Sequence, residues 1–125
     1  MAKHTFHKEE RLKSRKSIEA LFRSGKTMGS PPFRVYYRLV DDLPYPARMT
    51  VAVPKRMMKH AVDRNLVKRR TREAYRQHKE QLYEALRENG TNMELIFLYQ
   101  TSDMLDYKNI KRSVNFLLLK LAEKK

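Results

Sequence analysis

The 125-residue chain has no cysteine. That excludes a disulfide framework and a thiolate metal site, and it fits an intracellular, cytoplasmic setting. Only three glycines occur, so there is no glycine-rich phosphate loop. No apolar run approaches the roughly 20 residues of a membrane-spanning helix. The first residues, MAKHTFHKEERLK, lack the apolar stretch that a secretory signal needs. No internal repeat or low-complexity tract is present. Negative charge is scarce too: 14 Asp and Glu stand against 28 Lys and Arg, for a formal net charge of +14.

The positive excess is concentrated. Residues 1–26 carry 8 basic and 3 acidic groups, residues 55–76 carry 9 and 2, and the remaining 77 residues contribute a net +2. Clustered positive charge points to a polyanion, nucleic acid before an anionic membrane surface. A surface-binding helix needs large apolar residues opposite its charges, and here the apolar residues flanking the basic run are better explained as core. The length predicts a single domain, residues 1–125. Residues 1–13, polar and basic, read as a loosely ordered, flexible basic arm.

Periodicity organises the rest. Ile18, Leu21 and Phe22 share one face of a short helix over 14–24, with Ser14 or Ser17 as cap and Gly25 as stop. GKTMGSPP reads as a turn-rich connection with a brief extended piece. FRVYYRLV (33–40) alternates, with Phe33, Val35, Tyr37 and Leu39 inward and Arg34, Tyr36 and Arg38 outward. RMTVAV (48–53) places Met49, Val51 and Val53 inward, and the short link between these two strands predicts an antiparallel hairpin. Residues 60–88 read as one long, bent helix ending at Asn89-Gly90. MELIFLY (93–99) suits a strand covered on both faces. Ile110, Val114, Leu117, Leu118 and Leu121 define a last helix, capped by Asp106. The fold class is α/β: helices packed in a sandwich against a small sheet.

The long helix carries the charge. Advancing about 100° per residue from Arg64 places Lys68, Arg72, Asn65, Arg76 and Arg69 within one arc of about 140°. Val67, Thr71, Ala74, His78, Leu82 and Ala85 fill the adjoining arc, the predicted core face. Most charged helix faces are merely solvated, but those interleave acids at i, i+4 to relieve repulsion. Glu73 and Asp63 both project off this arc, which leaves it cationic throughout. Arg presents a planar fork to phosphate oxygens and Lys a point charge, while Asn can both donate and accept towards a base edge, a 2′-hydroxyl or a phosphate. The strand row Arg34, Tyr36, Arg38 adds an aromatic platform for an unpaired base between two cations.

The segment AVDRNLVKRRTRE (61–73) resembles the signature of the bacterial ribonuclease P protein subunit, Arg-Asn-x-x-Lys-Arg-x-x-Arg preceded by Ala-Val. Arg64, Asn65, Lys68, Arg69 and Arg72 meet every fixed position. ERLKSRKSIEALFRSG is similar to the family's amino-terminal region and VAVPKR to one of its strand ends, so the resemblance spans residues 10 to 121. Ile18 stands where the family has an aromatic cleft residue, Pro54 where it has serine, Lys59-His60 where it has a glycine-containing step, and Thr71 where an apolar residue is usual.

The resemblance implies a ribosomal-protein-like αβββαβα fold with a small mixed sheet and a left-handed βαβ crossover, a rare connection. It implies a partner, the catalytic ribonuclease P RNA, which hydrolyses the 5′ leader from precursor tRNA with Mg2+ held mainly by the RNA. Arg64, Asn65, Lys68, Arg69 and Arg72, with Arg76 beside them, would contact that RNA. The leader would lie in a cleft at Ile18, Phe22 and Tyr36, with Arg34, Arg38, Lys55 and Arg56 nearby. No membrane or DNA partner is expected. A protein nuclease would need metal-holding acids or a His pair, and His4, His7, His60 and His78 form no such set in the sequence. The alternative is another small basic RNA-binding protein, such as a ribosomal protein. A helix-turn-helix module is disfavoured, because no short turn joins the basic helix to a preceding one.

Overall fold

Residues 6–123 are described by the computed structural model. Helix α1 (Arg15–Ser24) starts where the Ser14 hydroxyl oxygen accepts the Ser17 amide at 3.3 Å. It ends at Gly25, where a Cβ would lie 2.6 Å from the Leu21 carbonyl oxygen, a position only glycine fills. Strands β1 (Lys26–Ser30), β2 (Phe33–Val40) and β3 (Ala47–Ala52) follow. The brief extended piece expected in GKTMGSPP is thus a full edge strand, antiparallel to β2 from Lys26 opposite Tyr37 to Ser30 opposite Phe33. Helices α2 (Ala61–His78) and α3 (Glu80–Asn89) meet at Lys79, whose backbone keeps right-handed helical angles (φ −67°, ψ −24°). The expected long bent helix is therefore two segments. Gly90 closes α3 in the left-handed region at φ 63°, where a residue without Cβ is unstrained. Strand β4 (Asn92–Tyr99) and helix α4 (Tyr107–Glu123) complete the αβββαβα order, with α2 and α3 together in the place of one helix. The Asp106 carboxylate accepts the Asn109 amide at 3.0 Å, capping α4 as the sequence predicts.

The sheet order is β1-β2-β4-β3. No hairpin joins β2 and β3. Instead β4 lies between them, antiparallel to β2 (Phe33 opposite Tyr99) and parallel to β3 (Ala47 opposite Met93). Burial is the reason. Met93 through Phe97 are buried without alternation, so β4 needs a covered neighbour on each edge and a layer on each face. The alternating strands β2 and β3 supply the edges.

Helices α2, α3 and α4 cover one face. Val67, Ala74, Tyr75, Leu82, Leu86, Val114 and Leu118 pack there on Val35, Met49, Leu95 and Phe97 in the main core. Each fully buried aliphatic or aromatic side chain contributes about 1.5–3 kcal/mol of transfer free energy. Helix α1 covers part of the other face with Leu21, over Ile96 and Leu12, while Ile18, Tyr36 and Ala52 pack around this smaller cluster. Leu39, expected inward, is 49% exposed. It lies two residues past Tyr37, where the β1 pairing ends, so no β1 residue pairs beside it, although Met93 opposite it on β4 is buried.

Residues 6–13, read from the sequence as part of a flexible arm, pack against the helices and the sheet; residues 1–5, including His4, lie outside the described residues. Glu10 is fully buried and pairs with the Lys79 ammonium, which is itself buried at the α2–α3 junction. The Tyr83 hydroxyl (2.6 Å) and the His7 amide (2.7 Å) also donate to the Glu10 carboxylate. The hydroxyls of Tyr75 and Tyr83 lie 3.0 Å apart, and burial raises both above the ordinary phenol range. Two residues on, the Leu12 amide donates to the Met49 carbonyl at 2.9 Å. The arm is pinned to the helices by Glu10 and to the sheet by Leu12.

Candidate nucleic-acid interface

The inner stripe of α2 is Val67, Thr71, Ala74 and Tyr75. Tyr75 was missing from the predicted core arc, and His78, placed on it, is only half-buried. Thr71 is tolerated at its buried position because its hydroxyl donates to the Val67 carbonyl at 2.7 Å, so no polar group is left unmet.

On the outer side, the structure separates the six predicted contact residues by what already holds them. Arg64 Nη1 donates to the carbonyls of Met58 and Lys59, both at 2.8 Å, tying the preceding turn to the helix where His60 offers no side-chain cap. Arg76 makes a two-point ion pair with Glu73, Nε to Oε1 at 2.7 Å and Nη2 to Oε2 at 2.8 Å. This pair holds the Glu73 carboxyl below its usual range. The arc is thus not acid-free throughout: at i, i+3 a glutamate side chain reaches its neighbour even though its Cα direction lies outside the arc. Asn65, Lys68, Arg69 and Arg72 remain, and among the described residues no acidic side chain pairs with the three cations. Arg70, on the flank, donates to the Leu105 carbonyl at 2.7 Å and secures the loop before α4. A groove of about 640 Å³ runs along this surface, bordered by Phe6 and Arg11 of the arm, Arg69, Arg72 and Arg76 of α2, and Tyr107 of α4.

The second predicted surface lies beneath α1. Ile18, Phe22 and Tyr36 do come together: the rings of Phe22 and Tyr36 meet edge to face with centroids 4.9 Å apart, and Ile18 packs on the same cluster. Phe22 stays 41% exposed, so the group presents ring surface outward. Arg34 is exposed beside Leu98. Arg38 departs from the expected row of open cations. Its Nε (2.9 Å) and Nη2 (2.8 Å) both donate to Oε1 of Glu94, a carboxylate only 4% exposed on the adjacent strand. Lys55 and Arg56 are exposed in the turn joining β3 to α2, closed by the Met57 amide on the Pro54 carbonyl at 3.0 Å. They sit between the two surfaces in the chain rather than in the aromatic cluster.

Sequence reasoning missed Phe6, Arg11, Glu10, Lys79 and Glu94. The signal for Glu94 was present, since one acid inside an otherwise apolar buried strand requires a cationic partner. Another hollow, of about 660 Å³ between the β1–β2 turn and α4 around Pro31, Arg112 and Phe116, contains none of the predicted site residues. Among the described residues no group of three or more His, Cys, Asp or Glu could hold a metal ion, and no helix is long and apolar enough to cross a membrane.

Comparison with known proteins bears on this arrangement. The sequence model of the Ribonuclease P family matches residues 6–122. A ribonuclease P protein component of Porphyromonas gingivalis is 35% identical over 117 residues, covering 92% of this chain and 85% of the relative. One from Vibrio cholerae is 37% identical over 82 residues, 66% of this chain and 68% of the relative. The fold is similar to that of the RNase P protein from Thermotoga maritima, with a TM-score of 0.71 at 22% identity, covering 89% of this chain and 96% of that one. The Staphylococcus aureus RNase P protein gives a TM-score of 0.69 at 21% identity over 91% and 95%.

Proposed function

The chain belongs to the ribonuclease P protein family, and from that membership we propose that it binds the RNA subunit of ribonuclease P and assists removal of the 5′ leader from precursor tRNA. The observation that carries this reading is the outer face of α2. Asn65, Lys68, Arg69 and Arg72 stand together there, and no acid pairs with the three cations among the described residues. Like charges held at i, i+3 and i, i+4 repel, and RNA phosphates relieve that repulsion while counterions are released. Family membership displaces the alternative of a ribosomal protein.

The two surfaces divide the work in this proposal. The α2 face neutralises phosphates of the folded RNA subunit, and Asn65 contributes directed hydrogen bonds among them. The Ile18–Phe22–Tyr36 cluster receives unpaired leader bases by stacking on ring edges and faces, with Arg34 following the strand's backbone. Arg38 is oriented by Glu94 and contributes less charge than its residue type suggests. Lys55 and Arg56 extend the cationic path between the surfaces.

The proposal assigns Mg2+ to the RNA, as the family resemblance implies. The protein's own part is to hold the two RNAs together and lower their mutual repulsion. The test is reconstitution: bacterial ribonuclease P RNA, precursor tRNA and this chain at low Mg2+. Faster 5′ cleavage with the protein than without it is the expected result, and no acceleration at any protein concentration overturns the reading.

A further inference from the structure

We propose that Arg11 and Arg72 form a two-guanidinium site, built jointly by the amino-terminal arm and α2, that grips one phosphodiester of a bound RNA strand. The inference rests on the RNA-binding reading above and extends it to a residue outside the signature helix.

Three observations place Arg11 there. Its backbone is clamped on both sides: Glu10 is buried against Lys79 and Tyr83, and Arg11 bridges to Met49 on the edge of the sheet. A backbone held so tightly is preorganised, and less of its freedom is lost when a ligand arrives. Its guanidinium lies 5.5 Å from the centre of the Phe6 ring, and that ring is itself fixed edge to face on Tyr75, 5.8 Å centroid to centroid. Arg11, Phe6 and Arg72 then line the same groove of about 640 Å³ as Arg69, a size in the range of small-ligand sites.

Charge explains why an anion belongs in that groove. Burial, and then the Arg11 charge, lower the Arg72 pKa from its ordinary value, so the fold brings two cations close enough to disfavour each other. Neither has an acidic partner among the described residues. Arg76, further along the groove, already has Glu73, which leaves the Arg11–Arg72 end as the uncompensated one. Two planar forks facing one space suit phosphate oxygens better than a lone carboxylate. The site is continuous with Lys68 and Arg69 on α2, so the phosphate it takes is one in a strand that lies along the helix.

The experiment measures affinity of the full chain for bacterial ribonuclease P RNA across a salt series. The proteins are wild type, Arg11→Ala, Arg72→Ala, the double variant and Arg11→Lys, with a thermal melt of each. Each alanine variant is expected to lose about tenfold in affinity, the low end for a hydrogen bond to a charged group. Each should also lower the log–log salt slope by about 0.7–0.9. The double variant should lose less than the product of the singles, because one phosphate is shared, and Arg11→Lys should recover part of the loss. Melting temperatures should hold or rise, since each alanine removes one of two repelling charges. Unchanged RNA affinity in Arg11→Ala overturns the site while leaving the general reading intact. So does a fall in melting temperature that accounts for the whole loss, because Arg11 would then be structural. Millimolar inorganic phosphate that raises the melting point of wild type but not of Arg11→Ala, with RNA affinity unchanged, would mark a free-anion site and also overturn the proposal. Failure of wild type to bind the RNA at all would remove the functional reading itself.

Discussion

The molecule presents two arginine-bearing surfaces built on opposite logic. On α2, Lys68, Arg69 and Arg72 project from a rigid helix with no acid pairing them among the described residues. On the sheet beneath α1, Arg38 is answered by a buried Glu94, and the centre of the surface is the apolar and aromatic group Ile18, Phe22 and Tyr36. Counting arginines would only rank the helix face, with Arg64, Arg69, Arg72 and Arg76, above the sheet face, with Arg34 and Arg38. Their partners separate them: the helix face is suited to long-range attraction of a phosphate backbone, which salt screens, and the sheet face to stacking, which is short-ranged and far less salt-sensitive.

The sharpest way to break this comparison is to remove what both surfaces share. The arm sends Arg11 to the α2 groove and Leu12 to the cluster under α1, and both depend on Glu10 holding Lys79. Lys79→Met leaves the Glu10 carboxylate buried without its cation. A broken buried pair of this kind costs about 3–5 kcal/mol, so the variant should unfold at markedly lower denaturant concentration and lose RNA and leader affinity together. A loss in urea titration under about 1 kcal/mol would mean the carboxylate is satisfied by Tyr83 and His7 alone.

A second contrast separates the surfaces. Tyr36→Ala should weaken binding of leader-bearing precursor tRNA by about 1–3 kcal/mol, leave mature tRNA unaffected and leave the salt slope as it was. Lys68→Ala should do the reverse: no change in the preference for leader-bearing over mature tRNA, but weaker affinity for the ribonuclease P RNA, with the salt slope of that binding lowered by about 0.7–0.9. Equal losses on both substrates for Tyr36→Ala would detach it from the leader, and an unchanged slope in Lys68→Ala would detach that residue from phosphate.

How much of this was legible depends on the range of each interaction. Periods of 3.6 and 2 are local, so α1, β2, α2–α3, β4 and α4 could be read from spacing alone, and the Asp106 cap with them. Strand partnership is not local. The short link from β2 to β3 suggested a hairpin, but the demand of β4 for cover on both edges decided the order. The pairs Glu10 with Lys79 and Arg38 with Glu94 join residues 69 and 56 positions apart, beyond the reach of any spacing rule. As a result, the arm read as flexible and Arg38 as an open cation. Glu73 with Arg76 was within reach, three residues apart, but helical projection places Cα directions and not the ends of long side chains. The same limit hid the role of Arg64, whose Nη1 is committed to the Met58 and Lys59 carbonyls.

The smallest expected effect tests the finest point of the comparison, whether Glu94 tunes the sheet surface. Glu94→Gln keeps the volume and one acceptor for Arg38 but removes the negative charge. Arg38 is about one-third exposed, so the pair it loses is partly screened and the stability cost should stay near 1 kcal/mol or less. A newly uncompensated guanidinium would then stand beside Tyr36, one row along the same strand face. Binding of leader-bearing substrate should tighten slightly at low salt, and its salt slope should steepen by about 0.7, the single-strand value for one added phosphate contact. The sheet surface would thereby acquire part of the salt dependence that distinguishes α2. If the slope does not move, Glu94 serves only to satisfy Arg38 inside the sheet, and the aromatic cluster alone sets the character of that surface.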